Sequence, residues 1–146
     1  MKYFTMHELT RSSTASRLGI DNTPGKAAVV NLQNLVDTLL DPIRAAWGKP
    51  IVVNSGYRCP ELNRSIGGAA NSQHTKGQAA DIECVSRDPE ENKRLFRLIR
   101  NLNLPFDQLI NEFDYNWIHI SYVPKGRHRV LEAKKVGGKT VYSVMP

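Results

Sequence analysis

The chain has few cysteines and no long apolar run. Its 146 residues include only two cysteines, Cys59 and Cys84. Two thiolates are too few for an all-cysteine zinc site, and in a chain without an export signal we expect both to be free thiols. No apolar stretch approaches the roughly 20 residues that cross a bilayer. We therefore expect no membrane-spanning segment and no membrane partner.

The N-terminus also lacks the features of an export signal. Residues 1–16 read MKYFTMHELTRSSTAS, with one early lysine and no apolar core, so no signal peptide is predicted. We expect cytoplasmic synthesis of a soluble chain, which would need another agent to release it if it acts outside the cell. The length and the 40% hydrophobic content fit one domain, residues 1–146, with a sizeable core.

The charge is positive but lacks a nucleic-acid-binding pattern. The formal net charge is +6, and the basic residues are dispersed except for local density in residues 125–129 and 134–139. No recognition motif or aromatic ladder accompanies them, so we expect no nucleic-acid partner. A positive surface would also attract an anionic cell wall. A basic DNA binder is the least favoured hypothesis, and it predicts salt-dependent affinity that is insensitive to chelation.

Apolar spacing predicts one long helix. Hydrophobic residues recur every three or four positions over residues 24–47, which is typical of a helix with one buried face. Thr23 is the expected N-cap, with Pro24 in the first helical position. Pro42 lies inside the pattern and should kink or divide the helix. A second helix is predicted to begin at Pro89.

Short β-rich runs predict the rest of the fold. Strands are expected over residues 51–54, 79–85, 106–113 and 117–123, with another pair around residues 137–138. These elements predict an α+β domain in which an antiparallel sheet packs against helices. Residues 55–78 have little regular pattern, and long loops of this kind inside compact domains are usually functional.

Three dispersed side chains have the composition of a metal site. His74 and Asp81 lie in the polar stretch SQHTKGQAAD, and His119 lies within the apolar run WIHIS. Two histidines and one carboxylate form the ligand set of a catalytic zinc, which keeps one position open. Each residue alone also has an ordinary explanation. His119 could be a hydrogen-bonded core histidine, and Asp81 a cap or a salt-bridge partner.

Three motifs resemble one peptidase family. Residues 72–81 fit S-x-H-x-x-G-x-A-x-D, residues 55–63 fit S-G-Y-R-x-x-x-x-N, and residues 117–121 contain W-x-H. In this order the motifs resemble the zinc D-alanyl-D-alanine carboxypeptidase family, which includes phage endolysin peptidases. The N-terminal half is similar to small prophage-type members. The resemblance implies the D-Ala-D-Ala carboxypeptidase or hedgehog-like fold, with zinc at the sheet face.

The resemblance also implies roles for individual residues. The two histidines and the aspartate would bind one Zn²⁺ per chain. Arg58 would point into the cleft, where its guanidinium could hold a peptide carboxylate or stabilise the oxyanion. Ser72 and Gln73 would bind substrate, although both could equally satisfy loop backbone.

The general base is where the sequence departs from the family pattern. Many members place a carboxylate three residues before the last histidine, and that position here is Asn116. Glu112 and Asp114 are the available acids. Glu112 is favoured because it lies near the end of the predicted strand over residues 106–113, from which a short connection could bring it across from His119. Asp114 lies in the turn itself, where it could instead make only a local hydrogen bond. The assignment stays open between the two.

The resulting prediction is a monomeric zinc metallopeptidase that hydrolyses peptidoglycan stem peptides. It would be a D,D-carboxypeptidase or an endopeptidase that degrades bacterial cell wall, in a phage or prophage setting. The alternative, prompted by Asn116, is a catalytically weak or inactive metal- or peptide-binding module of the same fold.

Overall fold

The computed structural model describes residues 1–146 and has a six-stranded sheet at its centre. The strands are β1 (Ile51–Ser55), β2 (Ala79–Cys84), β3 (Gln108–Glu112), β4 (Trp117–Ser121), β5 (Arg129–Val136) and β6 (Lys139–Val144). Their order across the sheet is β1-β2-β4-β3-β5-β6. The predicted α+β class is therefore confirmed.

The sheet is mixed, and the prediction of a wholly antiparallel sheet is wrong for one pair. Four strand pairs are antiparallel, but β3 and β5 are parallel, with Gln108 opposite Arg129. Strand β4 ends at the edge where β3 begins, because Ser121 lies opposite Gln108. The connection over residues 122–128 starts β5 from that same edge, so β5 must run parallel to β3. Local sequence patterns do not specify such a non-local neighbour.

Six α-helices accompany the sheet. They are α1 (Met6–Thr10), α2 (Ser13–Leu18), α3 (Lys26–Leu35), α4 (Asp41–Trp47), α5 (Pro60–Ser65) and α6 (Pro89–Leu102). The predicted second helix begins at Pro89, where the Asp88 side chain accepts a hydrogen bond from the Glu90 amide. No helix is both long enough and apolar enough to cross a membrane.

The predicted long helix is divided as expected but begins later. A π-helical segment, Val36–Leu40, separates α3 from α4, and Pro42 lies in the first turn of α4. Proline removes one helical N–H and crowds the preceding turn, which accounts for the wider segment. The predicted start is wrong, because Gly25 is the N-cap of α3 and the Thr23 amide instead bonds Asp21.

The helices cover one face of the sheet. Alternation along the strands places Ile82, Ile118 and Ile120 on this face, and all three are fully buried. Helix α6 packs directly on β2 and β4. Burial of each such side chain contributes about 1.5–3 kcal/mol. The opposite face of β2, β4 and β3 is left free to carry a site.

Candidate metal centre

Strand register brings two of the three predicted ligands together. Asp81 on β2 lies directly opposite His119 on β4. Their neighbours Ile82 and Ile118 point into the core, so the period of two places Asp81 and His119 on the open face. His119 Nδ1 lies 3.0 Å from Asp81 Oδ1.

The third ligand candidate comes from a short 3₁₀ helix, Gln73–Lys76. The Ser72 hydroxyl accepts a hydrogen bond from the His74 amide at 3.2 Å, and Gly77 closes the turn in the left-handed conformation, with φ 73°. His74 is only 3% exposed, and its Nε2 lies 3.4 Å from Asp81 Oδ2. The capped turn thus holds His74 against the sheet.

A backbone carbonyl orients the His74 ring. Nδ1 lies 2.7 Å from the Gly56 carbonyl oxygen, which can only accept, so Nδ1 carries the hydrogen of the neutral imidazole. Gly56 is required there, because a Cβ would lie 2.3 Å from the Leu9 carbonyl oxygen. The lone pair of His74 Nε2 therefore faces the Asp81 carboxylate.

The donor set fits a zinc ion. One ligand atom from each of His74, Asp81 and His119 lies within 4.8 Å of the others. A nitrogen lone pair and a carboxylate oxygen at 3.4 Å repel each other unless a cation or a proton lies between them. Two imidazoles with one carboxylate match zinc and leave a fourth position open.

The charge of Asp81 is maintained by its neighbours. Burial disfavours its ionised form, but attraction to the His74 and His119 imidazoles and the hydrogen bond from His119 together hold the pKa of Asp81 well below its usual range. Asp81 is therefore anionic at neutral pH, as a metal ligand must be.

A cleft of about 740 Å³ opens above these residues. Glu112, on β3, lines it and is 7% exposed. Burial raises the pKa of Glu112 to about 7; the charge of His119 opposes this shift, and the charge of Asp81 adds to it. A carboxyl group with a near-neutral pKa can accept and return a proton at physiological pH.

The structure places the two candidate bases differently. Asp114 lies in the β3–β4 turn with φ 54°, is exposed and does not line the cleft. Asn116 is also exposed in this turn, where its backbone amide bonds the Glu112 carbonyl. Glu112 is therefore the acid that the fold brings to the cleft.

A family comparison agrees with the motifs and the geometry. The family model described as Peptidase M15 matches residues 2–121. The chain belongs to the Peptidase M15 family. It is 39% identical over 88 residues to the zinc D-Ala-D-Ala carboxypeptidase of Streptomyces albus G, a match that covers 58% of this chain. The match spans about a third of that relative's length, 32%. The family resemblance inferred from the three motifs is confirmed.

In this Peptidase M15 chain, Arg58 lies at the cleft beside the 3₁₀ helix. Its backbone amide bonds the His74 carbonyl at 3.0 Å, and its Nη2 donates to Ser72 Oγ at 3.3 Å. Burial lowers the pKa of the guanidinium, while attraction to Asp81 opposes this shift. Arg58 Nε is buried without a hydrogen-bond partner. Such a donor is costly unless a ligand or a rearrangement satisfies it.

Gln73 is tied to an ion pair that the sequence analysis missed. Its Nε2 donates to Asp107 Oδ2 at 2.9 Å, and Arg127 donates to both carboxylate oxygens, each at 2.9 Å. Hydrogen bonds from Arg127 outweigh burial and lower the pKa of Asp107 to about 2. No motif includes this pair, and the only signal was the basic density near residue 127.

The last two strands form a wall of the Peptidase M15 cleft that was also missed. Arg129, Leu131 and Lys135 from β5 line it, together with Tyr142 from β6. The sequence predicted a strand pair here. Its place beside the site depends on the parallel pairing of β5 with β3, for which the sequence has no local signal.

Proposed function

We propose that this protein is a zinc metallopeptidase that hydrolyses peptide bonds in bacterial peptidoglycan stem peptides. The observation that carries the proposal is the convergence of His74, Asp81 and His119 at the base of a cleft in a Peptidase M15 chain. The name of the Streptomyces albus G relative, a zinc D-Ala-D-Ala carboxypeptidase, supports both the metal and the substrate class.

The proposed metal site uses groups that the fold already orients. His74 would bind through Nε2, since Nδ1 is committed to the Gly56 carbonyl, while Asp81 and His119 complete the set. Bound zinc supplies a Lewis acid that polarises a peptide carbonyl and makes water nucleophilic near neutral pH.

Glu112 is the proposed general base. Its carboxylate takes a proton from the attacking water and passes it to the nitrogen of the departing amine. Its buried position in the cleft and its pKa of about 7 support this role. Asp114, exposed in the turn, has no corresponding route to the reacting atoms.

Arg58 is proposed to stabilise negative charge on the substrate. Its bond to Ser72 holds the guanidinium at the cleft, and its remaining N–H groups would donate to the peptide carbonyl oxygen or to a terminal carboxylate. Ser72 then acts as a positioning residue. Gln73 would contact substrate through Oε1, because Nε2 is engaged by Asp107.

Metal analysis and peptide hydrolysis test the proposal together. Elemental mass spectrometry of the wild type should find about one zinc per chain, and His119→Ala should lose it with the fold retained. His7→Ala, an exposed histidine outside the site, is the matched control and should keep the metal. Zinc retained by His119→Ala, or no zinc in the wild type after incubation with it, would overturn the assignment.

Two substrates separate the possible activities. A peptide ending in D-Ala-D-Ala tests the carboxypeptidase activity, and a crosslinked dimer of stem peptides tests the endopeptidase activity. Zinc binding without hydrolysis of either would favour the second candidate, a metal- or peptide-binding module. Asn116 is the observation behind that candidate, since many family members have a carboxylate at this position.

A further inference from the structure

The net charge of the chain is concentrated beyond the family match. Residues 122–146 contain six lysines and arginines but only one acidic residue, Glu132, whereas residues 1–121 contain 14 basic and 13 acidic residues. The matched region ends at residue 121. The C-terminal segment therefore carries +5 of the total +6. Most residues of this segment form the β5–β6 hairpin (residues 129–144).

Part of this charge faces the cleft. Ile110 on β3 lies opposite both His119 on β4 and Leu131 on β5, so Leu131 shares the face of the metal ligands. Alternation along β5 then places Arg129 and Lys135 on that face as well. Both residues line the cleft. Along β5, Arg129 lies before and Lys135 lies after Leu131, the residue that is level with His119 across the sheet.

These two cations are not neutralised by the protein. Arg129 forms no ion pair within the chain, and the Lys135 ammonium donates only to Thr140 Oγ1, at 3.1 Å, above the ring of Phe113.

The neighbouring cations, by contrast, are paired. Arg127 is paired with Asp107. Lys134, on the opposite face of β5, lies 3.8 Å from Glu132. The cleft thus keeps unpaired positive charge where a substrate must lie.

The spacing of the cations indicates the shape of their partner. Arg129 and Lys135 are six residue steps apart along the β-strand, roughly 20 Å at about 3.3 Å per residue. Between them lie the apolar side chains of Leu131 and Ala133. A partner that reaches both cations must be extended, carry an anionic group near each end and continue on each side of the metal centre; in a peptide substrate those groups are carboxylates.

We infer that the β5–β6 hairpin is a selectivity wall for acidic peptides that extend on both sides of the bond to be cleaved, with Arg129 and Lys135 each pairing with a peptide carboxylate. The inference rests on the proposed function and names the substrate class of the same site. It favours an internal bond, because a substrate cut at its last residues would reach only one of the two cations.

Binding of a matched peptide pair tests the inference without hydrolysis. One extended peptide of six residues carries glutamate near both ends, and its partner carries glutamine there; both have blocked termini. Intrinsic tryptophan fluorescence, to which Trp117 in the cleft contributes alongside Trp47 outside it, reports binding to the full-length protein, zinc-loaded and after chelation. We expect the wild type to prefer the glutamate peptide about tenfold, and Arg129→Gln or Lys135→Gln to lose roughly three- to fivefold of this preference.

The controls distinguish specific recognition of acidic peptides by the hairpin from non-specific attraction to a basic surface. The double variant should bind both peptides equally, while Lys134→Gln, on the opposite face, should retain the wild-type preference. An unchanged preference in the double variant, or an equal loss in Lys134→Gln, would overturn the inference. A second result would also overturn the inference: polyphosphate binds more tightly than the acidic peptide, and Arg129→Gln, Lys135→Gln and Lys134→Gln each weaken polyphosphate binding equally.

The experiment separates this inference from the proposed function. Peptide preference in the chelated protein is measured without zinc and without turnover, so a protein that binds no zinc could still show it. Conversely, zinc-dependent hydrolysis with no difference between the two peptides would leave the proposed function intact and overturn only the role of the hairpin.

Discussion

The two faces of strand β4 carry opposite kinds of side chain. Ile118 and Ile120 are fully buried under the helices, in a hydrophobic cluster of 25 residues. His119, between them, points to the open face with Asp81, where the apolar cluster has only three buried residues. Residues that stabilise the core and residues of the candidate metal site therefore alternate along one strand, because successive side chains of a strand point in opposite directions.

The open face also carries charge that the fold does not favour. The pKa of Glu112 is raised by burial, and a buried Arg58 nitrogen lacks a partner. Functional groups held in this way usually reduce stability, and the covered face must compensate. The following predictions test that division of roles, beginning with the largest effect.

His119→Ala should abolish zinc binding and hydrolysis with little loss of stability. It removes one of three ligands, but it leaves the covered face intact. We expect the free energy of unfolding of the metal-free protein to change by less than about 1 kcal/mol. Denaturant titration and metal analysis check this. A variant that fails to fold would show that the open face is also structural.

Glu112→Gln should lower the rate of hydrolysis about 10²- to 10⁴-fold, the usual contribution of a general base. Zinc stoichiometry should not change, because glutamine preserves the shape of the side chain. The same assay on Asp114→Asn is the control, and we expect nearly wild-type activity. A larger loss for Asp114→Asn than for Glu112→Gln would reverse the assignment.

The same variant should be more stable than the wild type above pH 7 when both are metal-free. The pKa of Glu112 is about 7 in the fold and near 4.5 when unfolded. The wild type therefore loses stability as pH rises from about 4.5 to 7, by about 3 kcal/mol, and glutamine avoids this loss. Zinc should reduce the difference, since a nearby cation favours the carboxylate. Urea unfolding at pH 5 and pH 8 measures it.

Ile118→Ala should show the opposite behaviour to its neighbour His119. Truncation of this fully buried side chain should cost about 2–5 kcal/mol of unfolding free energy. The protein that remains folded should still bind one zinc. Thermal unfolding with metal analysis on the same sample checks both points, and loss of zinc from folded protein would contradict the separation of faces.

Asp107→Asn should have a smaller effect on both stability and activity. It breaks the bidentate pair with Arg127 and weakens the anchor of Gln73. Because the Asp107 pKa lies near 2 in the fold, its contribution of about 1–2 kcal/mol is present above pH 4 and is lost as pH falls towards 2. The unfolding free energies of wild type and variant, measured by acid unfolding, should therefore converge near pH 2. At neutral pH the variant should have a raised KM for peptide.

Asn116→Asp should have the smallest effect, less than about twofold in activity. The change restores the carboxylate found in many family members, but the side chain is exposed in the turn and does not line the cleft. A marked gain in rate would show that the turn moves towards the site and would weaken the case for Glu112.

Local patterns were sufficient for several elements. Helix α6 begins at Pro89 as predicted, Pro42 lies where the long helix divides, and the alternation in WIHIS separates His119 from its isoleucine neighbours. The start of α3 was mistaken because Gly25, not Thr23, is the N-cap. Capping preference is weak compared with the tertiary contacts that decide where a helix begins.

The sequence by itself determined the family, the α+β class and which residue types could form a metal site. Those features depend on motif spacing and on the periods of helices and strands. Only the tertiary structure decided that β5 pairs with β3, that Asp107 and Arg127 anchor Gln73, and that Glu112 rather than Asp114 reaches the cleft. Burial and charge at each of these positions come from segments far apart in the chain, which no local pattern encodes.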